Sequence, residues 1–88
     1  MLEATRKKND EIDSKLLKLL AERLELCQEL GEYKKKHSLP IQDKGREEQA
    51  IKGRIKKWKE LGFDDEEFVR EFFELIMKKS REVQHEQQ

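Results

Sequence analysis

Ile12-Asp13-Ser14-Lys15-Leu16-Leu17-Lys18-Leu19-Leu20-Ala21-Glu22-Arg23-Leu24-Glu25-Leu26-Cys27 is the stretch that decides the fold. Apolar residues recur at 12, 16, 19/20, 24, 27 and 30, which is the period of a helix and not of a strand. Outward from this stretch the same pattern runs from Leu2 to His37 with no proline and with Gly31 as its only glycine. At about 1.5 Å per residue, the spacing predicts a rod of roughly 50 Å. A compact chain of 88 residues has a radius of gyration near about 12 Å. The rod must therefore project from the domain or lie against a second chain. It also places cations where a buried stripe should be apolar.

Eighty-eight residues make one domain, 1–88, with a modest core of its own. Charged residues are 45% of the chain, yet Lys+Arg and Asp+Glu are 20 each. That balance argues against a general nucleic-acid binder, which carries a basic excess. No apolar run has the length of a membrane span and there is no signal-peptide pattern, so a cytoplasmic protein is expected. Cys27 is the only cysteine, which fits a reducing compartment and reads as a small buried apolar residue. His37 and His85 are far apart in the chain, and neither a zinc motif nor a glycine-rich phosphate loop is present.

Helix 1, about 2–37, must stop before Pro40, because the residue ahead of a proline is pushed out of the α region. Asp43 suits the N-cap of helix 2, about 44–61, whose apolar positions are Ala50, Ile51, Ile55 and Trp58, with Gly62 at its C-terminal end. Asp64 is expected to cap helix 3, about 65–84, with Asp65, Glu66 and Glu67 in the first turn. Phe68, Phe72, Phe73, Leu75, Ile76 and Val83 supply the apolar face of helix 3, and His85 to Gln88 read as a frayed tail. No strand pattern occurs. The class is all-α, with one very long helix and two shorter ones.

Several residues break the amphipathic pattern. Lys34 lies eleven residues after Arg23, which returns it to nearly the same face, about 16 Å along the axis. Cys27 and Leu30 lie between them. The two cations either snorkel into water or grip a compact molecule bearing carboxylates from both ends. Arg6 is about 25 Å from Arg23 along the helix and turned by roughly 100°. It is either a surface residue or, with two such helices antiparallel in a dimer, a contributor to the other chain. Asp43, Arg46 and Glu47 share one face at i, i+3 and i+4, as a cap with a surface ion pair or as part of a site. Phe72, Ile76, Ser80 and Gln84 form an i+4 series that turns from apolar to polar, which is either a solvated helix end or a stripe entering a polar pocket.

Taken in order, these residues resemble the all-helical (AroQ-class, type II) chorismate mutases. The resemblance covers nearly the whole chain: Arg6, then Ile12-Asp13-x-Lys15-Leu16-Leu17-x-Leu19-Leu20-Ala21-Glu22-Arg23, then Gly31-x-x-Lys34. It continues through Pro40-Ile41-x-Asp43-x-x-Arg46-Glu47 and closes on Phe73-x-Leu75-Ile76 and Ser80-x-x-x-Gln84. Leu24, Cys27 and Met77 vary at apolar positions that tolerate exchange, and Gly45 loosens the start of helix 2. No dehydratase or dehydrogenase extension accompanies the domain, so a monofunctional enzyme is expected.

The resemblance implies three helices per chain in an intertwined homodimer, with two active sites shared between the chains. It implies the Claisen rearrangement of chorismate to prephenate in phenylalanine and tyrosine biosynthesis, with no cofactor and no metal. By similarity, Arg23 and the partner's Arg6 take one carboxylate of chorismate, and Arg46 lies by the other. Lys34 and Gln84 donate to the ether oxygen, Glu47 accepts from the ring hydroxyl, and Asp43 and Ser80 line the pocket. An isochorismate pyruvate lyase of the same fold is the nearest alternative, and an inactive helical dimer module is the next.

Overall fold

The computed structural model describes all 88 residues. They form three helices and no strand: α1 (Leu2–Lys36), α2 (Lys44–Glu60) and α3 (Glu66–Glu86). The molecule measures 54 × 25 × 15 Å, with a radius of gyration of 16.0 Å. The length is that of α1 itself, 35 residues at about 1.5 Å each. No helix is long and apolar enough to cross a membrane.

Each helix stops for a local reason. At the end of α1, Ser38 takes a left-handed φ of 53°. The Leu39 amide then donates to the Lys34 carbonyl at 2.8 Å and the Ser38 amide to that of Lys35 at 3.3 Å. This is the Schellman arrangement, here without glycine, with Pro40 just beyond it. α2 ends in the same way on Gly62, φ 98°. The amides of Gly62 and Phe63 donate to the carbonyls of Lys59 and Trp58, and the Trp58 and Phe63 rings stack at 4.3 Å. That stack is the apolar contact that accompanies the motif.

The N-cap of α3 is Asp65 and not Asp64. The Asp65 side chain accepts from the Phe68 amide at 3.1 Å, whereas Asp64 offers its backbone carbonyl to Glu66 at 2.9 Å. Two adjacent aspartates are equally good caps in sequence, and the fold uses the second of them. The tail is also different from the expectation. α3 runs on to Glu86, and the Gln88 side chain donates to the Gly31 carbonyl at 2.9 Å, so this end is fastened to α1.

α3 lies between the other two helices, which do not pack on each other. Ala50, Ile51 and Met77 form the buried cluster between α2 and α3, flanked by Ile55 and Phe73. Ion pairs and a cation–π contact continue down this antiparallel pair: Glu47–Arg81, Arg54 over Phe73 and Lys59–Glu66. Between α1 and α3, Cys27 is buried, as expected of a small apolar residue. Only nine of the 88 residues are buried, which is too little apolar burial for a chain of this size to hold itself firmly.

The apolar stripe of α1 is the largest departure from a self-contained fold. Ile12, Leu16, Leu17, Leu19, Leu26 and Leu30 are exposed, and so are Phe68, Phe72 and Leu75 on α3. Every residue before Leu20 is exposed. The buried face of α3 is made instead by Val69, Met77, Ser80, Val83 and Gln84. The periodicity located apolar positions correctly, but this chain supplies no surface for most of them to meet.

Candidate active site

α1 and α3 run in the same direction and meet at their C-terminal halves. Gly31 sets how closely. A Cβ at that position would stand 2.8 Å from both the Cα and the carbonyl oxygen of Gln84, and 3.1 Å from the Gln87 Cβ. A hydrogen atom in its place lets the α3 backbone lie against α1. This close approach brings Gln84 beside Lys34, one turn further along α1.

The polar stripe of α3 is buried and is not a solvated helix end, for Ser80 and Gln84 are 6% and 5% exposed. An Arg23 guanidinium N–H donates to the Ser80 Oγ, while the Ser80 hydroxyl donates to the Ile76 carbonyl at 2.9 Å. A hydroxyl has one proton. Ser80 spends it on its own helix and uses an oxygen lone pair to brace Arg23.

Lys34 Nζ donates to Gln84 Oε1 at 2.8 Å and to the Ile41 carbonyl at 2.6 Å. An ammonium has three donors and no acceptor, so one Lys34 N–H remains. The same rule requires the Gln84 amide to turn its oxygen to Lys34, which leaves its NH2 free. The bond to Ile41 also ties the α1–α2 loop to the cluster. Arg23, Lys34 and Gln84 thus present convergent donors along the α1–α3 cleft, a set suited to an anion with a further acceptor oxygen.

The other expected residues are placed differently. Asp43 caps α2, its Oδ1 accepting from the Arg46 amide at 3.0 Å, and the Arg46 side chain is exposed. Glu47 does not pair with its neighbour Arg46. Both of its oxygens accept from Arg81 Nη1, at 2.7 and 2.9 Å. Arg6 pairs loosely with Glu3 at 3.6 Å, with its side chain 65% exposed, and it lies about 25 Å along α1 from Arg23. One chain therefore assembles Arg23, Lys34, Ser80 and Gln84, ties Glu47 to Arg81, the residue after Ser80, leaves Asp43 and Arg46 exposed, and keeps Arg6 remote.

Gly31, Arg81 and the Ile41 carbonyl were not among the expected site residues. Gly31 had a signal, since an uncapped glycine inside a helix costs about 1 kcal/mol and needs a packing reason. Arg81 had none; it sits in a run of surface charge. Two cavities flank the helices. One, of about 480 Å³, includes Glu47, Met77 and Arg81 in its lining. The other is an apolar groove of about 430 Å³ formed by Leu16, Trp58, Phe68, Phe72 and neighbours. Neither is lined by Arg23, Lys34 or Gln84.

The fold and cleft define a three-helix, all-α domain whose long first and last helices meet around a cluster of cations and a buried amide. Residues 5–85 match the family model described as chorismate mutase type II, and the chain belongs to that family. It is 38% identical over 79 residues to a chorismate mutase of Methanocaldococcus jannaschii, covering 90% of this chain and 79% of that protein. It is 44% identical over 61 residues to a T-protein of Enterobacter agglomerans, 69% of this chain but 16% of that longer protein. Among solved structures, a conserved hypothetical protein from Pyrococcus furiosus is similar with a TM-score of 0.75 and 37% identity, covering 94% of this chain and 93% of that one.

Proposed function

We propose that residues 1–88 act as one mutase domain that rearranges chorismate to prephenate at two equivalent sites of an intertwined homodimer. The observation that carries the site reading is the Lys34–Gln84 hydrogen bond of 2.8 Å, which orients both side chains and leaves each with a free donor. In the reaction the ether C–O bond breaks as a C–C bond forms within one molecule. The ether oxygen gains negative charge in the transition state. Donors fixed beforehand stabilise that charge without reorganising, and loss of one such donor typically costs about a hundredfold or more in rate.

The remaining roles follow from charge and shape. Chorismate carries two carboxylates. Arg23, braced by Ser80, offers the rest of its guanidinium to one of them. The partner's Arg6 joins it across the dimer, because the Arg6 of the same chain cannot reach. Arg46, at the rim, serves the other carboxylate, and Glu47 accepts from the ring hydroxyl. Asp43 acts on the pocket by holding the first turn of α2. Holding the substrate folded with its reacting carbons in contact is an orientation effect. The exposed leucines of α1 and the apolar groove supply the surface a second copy would cover. A cytoplasmic location belongs to this reading and rests on the single unpaired cysteine.

The test is to offer purified protein chorismate and isochorismate separately and identify the products. Prephenate from chorismate is expected. Pyruvate from isochorismate with no prephenate from chorismate would assign the site to a lyase of the same fold. No turnover of either would leave a helical dimer module.

A further inference from the structure

Glu47 stands on a helix that does not touch the helix carrying Arg23 and Lys34. α2 packs only on α3, so whatever holds the Glu47 carboxylate at the site must come from α3 or the loop. The loop is fastened by Ile41 to Lys34, three residues before α2 begins at Lys44. At the level of Glu47 itself, the side-chain link from α2 to α3 is Arg81, one residue beyond Ser80. Both partners are about three-quarters shielded, with side-chain exposures of 26% for Arg81 and 24% for Glu47. A single nitrogen of Arg81 lies against both carboxylate oxygens. Each oxygen keeps a lone pair for another donor.

Charge gives the pair a second consequence. The substrate on the proposed reading is a dianion. A bare carboxylate at Glu47 would oppose its entry, and in a partly shielded site that repulsion is stronger than in water. Paired with Arg81, the carboxylate is neutralised as a unit while remaining able to accept from a hydroxyl. We propose that Arg81 is a positioning residue of the mutase site, holding and neutralising the Glu47 carboxylate so that it accepts the ring hydroxyl of a dianionic substrate. The inference rests on the mutase reading above.

A double-mutant cycle tests it. Arg81→Gln, Glu47→Gln and the double variant are assayed for chorismate turnover, with circular dichroism and sedimentation confirming folded dimers. Arg81→Gln is expected to raise KM about tenfold, with a smaller change in kcat, and Arg81→Lys to recover part of the loss. In the Glu47→Gln background, Arg81→Gln should change nothing further, because no carboxylate remains to hold or neutralise. Should Arg81→Gln not fold, the same cycle is run with Arg81→Lys, whose effect must likewise vanish once Glu47 is Gln. Additive losses, or a lowered melting temperature with unchanged kinetics, would overturn the role of Arg81 and leave the mutase reading standing. Absence of turnover by the unsubstituted protein would overturn both.

Discussion

At the scale of single residues, the decisive atom is one that is missing. Gly31 has no Cβ, and the space it vacates is filled by the Gln84 backbone. Gly31→Ala should push the end of α3 away from α1, costing about 1–3 kcal/mol. It should also separate Lys34 from Gln84. Thermal melts at fixed concentration and kcat measured on the surviving folded fraction check this; a fall in stability without a fall in kcat would detach Gly31 from the site. Gln84 itself is a neutral donor. Gln84→Glu replaces the free NH2 by a carboxylate that, when ionised, cannot donate. Turnover at neutral pH should drop about a hundredfold and recover as the pH is lowered enough to protonate the new side chain. A pH–rate profile of the variant beside the unsubstituted protein measures it.

At the scale of elements, the helices and their limits were largely legible. A 3.6-residue period needs no partner to be read, and Asp43, Gly62 and Pro40 mark ends by local chemistry. The errors arose where local signals tie. Asp64 and Asp65 are equivalent caps in sequence, and the fold uses Asp65. Ser38 adopts the left-handed conformation that glycine usually supplies, and Pro40 alone gave notice of a stop. α2 and α3 are also clamped by a bidentate pair, Arg70 donating to both oxygens of Glu48 at 2.9 Å. These hydrogen bonds, with the positive charges of Arg70 and Lys52, hold the Glu48 carboxyl below its ordinary value of 4.5, against a smaller opposing effect of desolvation. A carboxyl with a lowered folded-state value stabilises the fold above its unfolded value and loses that contribution as pH falls through the folded one. Glu48→Gln should therefore lower the melting temperature at pH 7, and the difference from the unsubstituted protein should disappear in strong acid. A difference that persists there would mean Glu48 acts by packing and not by charge.

At the scale of the molecule, the proposed homodimer would account for the radius of gyration of 16.0 Å and for the exposed leucines of α1. Arg6 makes this a functional matter. On the shared-site reading, Arg6→Ala and Arg23→Ala chains are each nearly inactive as homodimers. A heterodimer of the two keeps one intact site, with Arg23 from one chain and Arg6 from the other, and gathers both defects in its second site. Equal mixing with full subunit exchange should restore about a quarter of the unsubstituted activity, since half the dimers are mixed and each has one of two sites. Heterodimers that form without recovering activity would place Arg6 outside the partner's site.

The sequence by itself determined the three helices, the all-α class and the residue types needed for a charged cleft, because helical period, capping and side-chain charge are properties of neighbours along the chain. The ordered run from Arg6 through Gln84 also carried the family resemblance that the comparison with known proteins bears out. Tertiary structure decided which of those residues meet. Arg23 finds Ser80 across 57 positions, Lys34 finds Gln84 across 50 and Glu47 finds Arg81 across 34. Such pairings depend on the register of one helix against another, and that register is set by packing at Gly31 and at the Ala50–Ile51–Met77 cluster. No local pattern encodes it, which is why Lys34 and Gln84 could be named from the sequence but the orientation of their donors, and the presence of Arg81, could not.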